Sequence, residues 1–333
     1  MVLAVLLLQA ANPEALSEQA LGQAQLKNFG EAERLWKQAL AAAPALYSAN
    51  FNLGYMYQSQ GRFADAEPYL RKAASAQPRD FNAQYLLGAV LAQLGKSDDA
   101  LRAWRAALTI RPGHLKLMRV MAVEYSKGRY FREAAAVAEK ALAMKQDDVS
   151  LWLTAVKAHQ DGDDHVAALK LAARMIAAFP LDPRAAFEYG FELSRAGRPG
   201  DAAPYLKRAM EARQPWEEPF YFYGDTLVKE GRHEEAIPVL RRALELRRDY
   251  MAAWNSLGRA LMGAARLDEA KAALLEAVKI NPSHPQPHLL LSQLYFRLGD
   301  EAKASEERAI SAKLRKENPG ALEGLPARAF PSR

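Results

Sequence analysis

An alanine recurs every 34 residues through almost the whole chain. Set out in units beginning at residues 13, 47, 81, 115, 149, 183, 217, 251 and 285, the sequence aligns without a gap. The twentieth position of the units is Ala32, Ala66, Ala100, Ala134, Ala168, Ala202, Ala236, Ala270 and Ala304. Alanine makes up about a fifth of the 333 residues, so nine in register in one chosen phase arise by chance on the order of once in a million. A chain with this pattern stacks short supersecondary units, each of which buries its apolar face only against its neighbours.

Two further phases are small. The eighth position reads Ala20, Gly54, Gly88, Ala122, Gly190, Gly224, Gly258 and Ser292, with Val156 the exception. The twenty-seventh reads Ala39, Ala73, Ala107, Ala141, Ala209, Ala243 and Ala277, with Met175 and Ser311 departing. Small residues at these spacings let two helices approach closely. Gly61, Gly95, Gly197, Gly231 and Gly299 fall near the middle of their units, where a helix must end and reverse. Pro44, Pro78, Pro112, Pro180 and Pro282 stand near the ends, and proline cannot continue a helix. Each unit therefore reads as helix, turn, helix, stop. The fourth and fifth units depart from the pattern in ways that carry expectations. In the fourth, Gly128 stands one residue early, which predicts a turn one residue longer. In the fifth, Asp163 replaces the glycine and Met175 an alanine, which predicts a slightly wider helix pair.

Stretches such as Asn52-Leu53-Gly54-Tyr55, Gly61-Arg62-Phe63-Ala64-Asp65-Ala66, Leu70, Ala73 and Pro78, and Trp254, Leu257-Gly258, Leu261, Ala270, Leu274, Ala277 and Pro282, resemble the tetratricopeptide repeat. The resemblance covers residues 13–318 and implies an all-α, right-handed superhelical solenoid of nine helix-turn-helix repeats, about one superhelical turn. Polar Gln19 and Gln23 in the first unit and Arg308 in the last suit capping repeats, so a complete array is expected. Residues 1–12 form an apolar segment ahead of the array. Residues 319–333, with Pro319, Gly320, Gly324, Pro326 and Pro331, read as a mobile tail.

Half of the residues are apolar, enough for a core, and the formal charge is +6. A charge that small over this length names no partner. The absence of cysteine excludes a disulfide framework, a thiolate metal site and a cysteine nucleophile. No stretch approaches the roughly 20 apolar residues that span a bilayer. The run Val2–Leu8 followed by Ala10 and Ala11 has two readings: a signal peptide without its basic front, or an apolar cap on the first repeat. The first leans towards export and a periplasmic location, the second towards the cytoplasm.

With the repeats occupying residues 13–318, an enzyme would have to build its site on them. There is no Gly-rich phosphate loop, His-Glu-x-x-His motif or nucleophile elbow. His284 and His288 have helical metal spacing, but Pro285 and Pro287 are expected to break that helix and leave the pair in an inter-repeat loop and helix start. Asp161, Asp163 and Asp164 open like a calcium loop, yet residue 172 is alanine where the bidentate glutamate is needed, so a solvated turn is expected. Glu217-Glu218 and Glu234-Glu235 suit helix N-termini. No catalytic residue, metal or cofactor is called for. Arg241, Arg242, Arg247 and Arg248 could touch phosphate; a solvated face is favoured, and an RNA-binding helical-repeat protein is the alternative reading.

Helical geometry then leaves one face for work. At 100° per residue, phases four, seven, eight and eleven of the first helix turn to its partner, and phases two, five, nine and twelve lie about 130° away. In stacked repeats that second side lines a concave groove. It contains Phe51, Tyr55, Tyr85, Arg119, Lys157, Phe187, Phe191, Tyr221, Asp225, Asn255, Arg259 and Phe296. Aromatic residues and arginine are enriched at binding hot spots; the competing role for these rings is packing between successive first helices. The expected function is a non-catalytic scaffold or adaptor that holds a peptide or partner segment in this groove. The lysine and asparagine set by which some family members grip a chain-terminal carboxylate does not occur in any three consecutive units, nor does the asparagine ladder of other arrays.

Overall fold

A computed structural model describes residues 12–317. The expectations of a leader and of a C-terminal tail fall on residues outside these. Among the described residues the regular structure is entirely helical, and the chain divides into two compact units, Met1–Asp164 and His165–Arg333. The first holds α1 (Pro13–Gln25), α2 (Phe29–Ala42), α3 (Tyr47–Ser59), α4 (Phe63–Ala76), α5 (Phe81–Gln93), α6 (Ser97–Ile110), α7 (Leu115–Lys127), α8 (Phe131–Met144) and α9 (Val149–Asp161). The second holds α10 (His165–Ala178), α11 (Pro183–Arg195), α12 (Pro199–Met210), α13 (Glu217–Lys229), α14 (His233–Leu246), α15 (Met251–Gly263), α16 (Leu267–Ile280), α17 (Pro285–Arg297) and α18 (Glu301–Glu317). The division falls inside the fifth repeat.

Helix starts follow from side-chain capping. The residue before each first helix has an acceptor in most repeats. Asn12 accepts from Glu14 N at 3.0 Å, Asp80 from Ala83 N at 2.6 Å, Asp148 from Ser150 N at 2.9 Å and Asp182 from Arg184 N at 2.8 Å. Pro13, Pro183 and Pro285 then occupy the first helical position, where a missing N–H leaves no bond unmade. Pro285 and Pro287 therefore stand in the first turn of α17, and His284 and His288 fall in the inter-repeat loop and the helix start expected from sequence, although the prolines do not break the helix. His284 caps that helix, with its Nδ1 accepting from Gln286 N at 3.2 Å.

The turn inside every repeat has one residue in the left-handed region, always at phase fifteen. Five are glycines, Gly61, Gly95, Gly197, Gly231 and Gly299, and four are Lys27, Arg129, Asp163 and Ala265, with φ between 59° and 62°. The fourth repeat consequently does not have the longer turn expected from Gly128. Helix α7 ends at Lys127 and α8 starts at Phe131, as in the other repeats, and Arg129 takes the strained φ of 62°. The helix pairing dictates the turn, and a strain of about 1 kcal/mol is accepted there.

All nine phase-twenty alanines are buried, eight of them fully and Ala304 at 3% exposure. Beside them, size is exchanged across several of the pairs. A Cβ on Gly54 would lie 2.7 Å from Leu70 Cγ, and one on Gly224 would lie 2.6 Å from Leu240 Cγ. A Cβ on Gly88 would come 2.4 Å from Trp104 Cδ1. In the fourth repeat, Ala122 and Ala138 occupy the same two phases and both are buried. In these repeats the large partner meets glycine and the small one alanine, whereas the first repeat has buried Ala20 and Trp36 in the same two phases.

A further device ties some repeats to the one before. Where the phase-four side chain is polar or an indole, it reaches the carbonyl six residues earlier, in the inter-repeat turn. Asn50 Nδ2 donates to Pro44 O at 3.0 Å, Trp152 Nε1 to Gln146 O at 2.8 Å and Trp254 Nε1 to Arg248 O at 2.8 Å, while His288 Nε2 lies 3.0 Å from Pro282 O. Each bond satisfies a carbonyl in a segment that has no helical partner for it. The cores are built on the same registers: Trp36, Leu53, Tyr57, Leu70, Trp104 and Leu117 in the first unit, and Leu206, Leu240, Leu274 and Leu291 in the second.

Candidate functional site

On the first unit, the expected face is open. Phe51 is half-buried and stacks on Tyr47 at 5.5 Å, while Tyr55 is 52% exposed. Tyr85 stacks on Phe81 at 5.7 Å and lies 5.9 Å from the ring of His114, which also caps α7. Arg119 is half-buried and forms no hydrogen bond or ion pair among the described residues. Lys157 is paired with Asp161 one turn further along α9.

A cavity of about 410 Å3 opens beside Tyr85 and Arg119. Its walls come from α5, α7 and α9 and include Ala89, Ala92, Val120, Val123 and Thr154, with Trp104 beneath. The indole packs on Gly88 and donates to Tyr85 O at 3.0 Å, which fixes the floor. The space exists because Ala89 and Ala92 occupy phases nine and twelve, where the second repeat has Tyr55 and Gln58. Glu124 is nearby but buried, accepting from Ser97 Oγ at 2.6 Å and from Lys127 Nζ at 3.2 Å.

The second unit corrects the sequence reading. Phe187, Phe191, Tyr221, Asp225 and Asn255, expected on an open face, are all buried. For Phe187 and Phe191 the cause is Phe222 at phase six, where the first unit has Val120 and Thr154. Its ring lies 6.0 Å from Phe187 and 5.0 Å from Phe191, filling the space between α11 and α13. Trp216 meets Phe187 edge-on at 5.7 Å, and Tyr221 packs on Tyr250 at 4.8 Å. Burial pushes both tyrosine hydroxyls well above their ordinary range. These rings take the packing role.

Asp225 is held by Ser256 Oγ at 2.8 Å, Lys229 Nζ at 2.9 Å and Arg259 at 3.4 Å, so its charge is compensated within the unit. Asn255 has a buried Oδ1 without a hydrogen-bond partner among the described residues. Phe296, at 63% exposure, is the expected aromatic that remains open in this unit.

The other sequence candidates have structural uses. His288 is buried, with Nδ1 2.6 Å from Glu307 Oε2. Arg241 pairs with Glu269 at 2.7 Å and Arg242 with Glu245 at 2.6 Å. Arg247 pairs with Glu217 at 2.8 Å and lies over the Tyr250 ring. Glu234 and Glu235 stand in the first turn of α14. Among the described residues there is no cluster of three metal-ligating side chains, and no helix is long and apolar enough to cross a membrane. Sequence reasoning missed both notable cavities: the one above, and a second of about 600 Å3 lined by Leu244, Trp254, Leu257, Leu261, Ala272 and Ala273 with a charged rim. The available signal was the alanine pairs 89/92 and 272/273, each of which removes bulk.

Stacked antiparallel helix pairs on a 34-residue period define the class, a helical-repeat protein. Sequence profiles of the tetratricopeptide repeat match residues 17–66, 57–114 and 192–250, and residues 227–294. The chain belongs to the tetratricopeptide repeat family. Comparison with curated proteins gives no match. Among solved structures it is similar to PilW, a widely conserved type IV pilus biogenesis factor, at 22% identity over 63% of this chain and 96% of that one, with a TM-score of 0.54. It is also similar to a tetratricopeptide repeat protein from Parabacteroides merdae ATCC 43184, at 17% identity over 75% of this chain and 98% of that one, TM-score 0.47. A third is YrrB, a TPR protein with an unusual peptide-binding site, at 21% identity over 57% of this chain and 97% of that one, TM-score 0.47. At these identities the likeness concerns the fold.

Proposed function

We propose that the chain is a non-catalytic protein-interaction scaffold whose working surface is the first-helix face of its repeats, and that the first unit holds the principal site. One observation carries this reading. Phe51, Tyr55, Tyr85 and Arg119 sit on consecutive first helices, half-buried or exposed, and Tyr85 and Arg119 line a cavity that no side chain among the described residues fills. Large rings on rigid helices give contact area with little loss of side-chain entropy, and a guanidinium without a partner is ready for a carboxylate. The corresponding rings of the second unit, apart from Phe296, stabilise the unit itself.

The test is affinity capture from the native host with the full chain and with a triple variant, Phe51→Ser, Tyr55→Ala and Arg119→Glu. Helical circular dichroism should persist, because none of the three is a fully buried core residue. Loss of the captured protein with helicity intact supports the proposal. Unchanged capture refutes the face, and recovery of nucleic acid in place of protein favours the RNA-binding alternative.

A further inference from the structure

Charge is unevenly distributed around the 410 Å3 cavity. Helix α5 has no charged residue at all. Helices α7 and α9 together have four cations, Lys116, Arg119, Lys127 and Lys157, against two carboxylates, Glu124 and Asp161, and two histidines, His159 on α9 and His114 at the start of α7. Both carboxylates are already engaged, Glu124 by Ser97 and Lys127, and Asp161 by Lys157. Arg119 is thus a cation beside the cavity with no counter-charge among the described residues, and Lys116 is exposed one turn before it. The rest of the lining is mostly apolar: Ala89, Ala92, Val120 and Val123 with Trp104, completed by Gln93, Thr154 and the Glu124–Lys127 pair, and Val123 is 49% exposed. The volume of the cavity falls in the range of small ligand sites, about 300–1,000 Å3.

A mostly apolar hole with a free guanidinium beside it has a definite complement. We infer that the cavity between α5 and α7 receives one aliphatic or aromatic side chain of an acidic peptide segment, and that Arg119 receives a carboxylate of the same segment, one or two residues away. This rests on the reading of the first-helix face as a protein-binding surface and adds the chemistry of the partner. The guanidinium offers paired N–H donors in a plane that matches a carboxylate, and Lys116 adds long-range attraction for an acidic segment. The buried Glu124 repels a second carboxylate from the α7 end, which fixes the acidic residue on the Arg119 side. Neighbouring residues of an extended segment lie about 3.3–3.6 Å apart per step, so the two anchors fit on adjacent or next-but-one positions.

The experiment selects phage-displayed random dodecapeptides, blocked at the free terminus, on the full chain, and measures the enriched peptides by fluorescence polarisation. The expected result is enrichment of Asp or Glu within about two positions of Leu, Ile, Phe, Tyr or Trp. Arg119→Glu should weaken these peptides about tenfold or more and, in a parallel selection, replace Asp and Glu by Lys and Arg. Ala92→Leu, which fills the cavity from a half-buried position, should weaken them comparably without altering the charge preference. Thermal melting of both variants should match the parent, since Arg119 has no internal bond to lose. Enriched peptides that bind both variants as tightly as the parent would refute the cavity assignment and leave the binding face standing. Selection of basic or uncharged peptides would refute the stated chemistry, and no enrichment at all would refute a peptide site here, while the capture experiment separately decides whether the chain is a scaffold.

Discussion

The exchange of size between phases eight and twenty-four can be tested by a double-mutant cycle at Gly54 and Leu70. Leu70 is fully buried, and an added Cβ on Gly54 would stand 2.7 Å from its Cγ and 3.0 Å from its Cδ2. Contacts that short require the leucine to shift, and the branch point cannot swing aside as a chain end can. Gly54→Ala gains about 1 kcal/mol of helix propensity but incurs an overpacking cost of about 1–3 kcal/mol, so it should destabilise on balance by about 1 kcal/mol. Leu70→Ala alone should cost about 2–5 kcal/mol. In the Leu70→Ala background the clash is gone, and Gly54→Ala should now stabilise by about 1 kcal/mol, giving a coupling near 2 kcal/mol. Ala122 opposite Ala138 is the same double change already present in the fourth repeat. The assay is amide hydrogen exchange of α3 and α4 in the full chain, because repeat arrays open locally and a single midpoint averages over them. If Gly54→Ala has the same sign in both backgrounds, the packing argument is wrong.

Four other outcomes are expected. Lys27→Gly, Arg129→Gly and Ala265→Gly should each stabilise by about 0.5–1 kcal/mol, and Gly61→Ala should destabilise by about 1 kcal/mol, as measured by urea midpoints, because all four positions have φ above 59° or nearly so. Trp254→Phe keeps an aromatic ring, though a smaller one, and removes the bond to Arg248 O; it should cost at least about 1 kcal/mol, with faster exchange in the turn before α15. Ala202→Leu should cost about 1–3 kcal/mol by forcing α11 and α12 apart, and a neutral effect on melting would contradict the assigned phase. The Glu67 carboxyl is held below its ordinary 4.5 by hydrogen bonds from Lys96 and Arg71, against the opposing effect of partial burial. A depressed carboxylate contributes its stability above the unfolded value and loses it as pH falls through the folded one. The urea midpoint of the parent should therefore fall more steeply below pH 4.5 than that of Glu67→Gln, by under about 1 kcal/mol given the exposure of both cations.

The helix pairs were legible because their signals are local and repeated. Alanine at one phase, glycine before the second helix and proline near the unit end specify where helices meet, reverse and stop. Less legible was backbone strain: Gly128 reads as the turn glycine, yet Arg129 adopts the left-handed conformation because helix packing outweighs a local preference. Prolines before His288 look like helix breakers until their position in the first turn is known. The candidate face was half legible. A helical wheel orients a side chain relative to its own helix and says nothing of the next one. The wheel therefore placed Tyr55 and Phe187 together, although Phe222 on the neighbouring helix buries the second, while the first stays 52% exposed.

The most direct test of the scaffold reading is site-specific photocrosslinking in the native host. A benzophenone side chain is placed at Tyr55 or Val123 on the first-helix face, and at Arg102, an exposed position on α6, as the control. The account predicts a discrete crosslinked protein from positions 55 and 123 and none from position 102. Crosslinking from position 102 alone, or from all three equally, would contradict it.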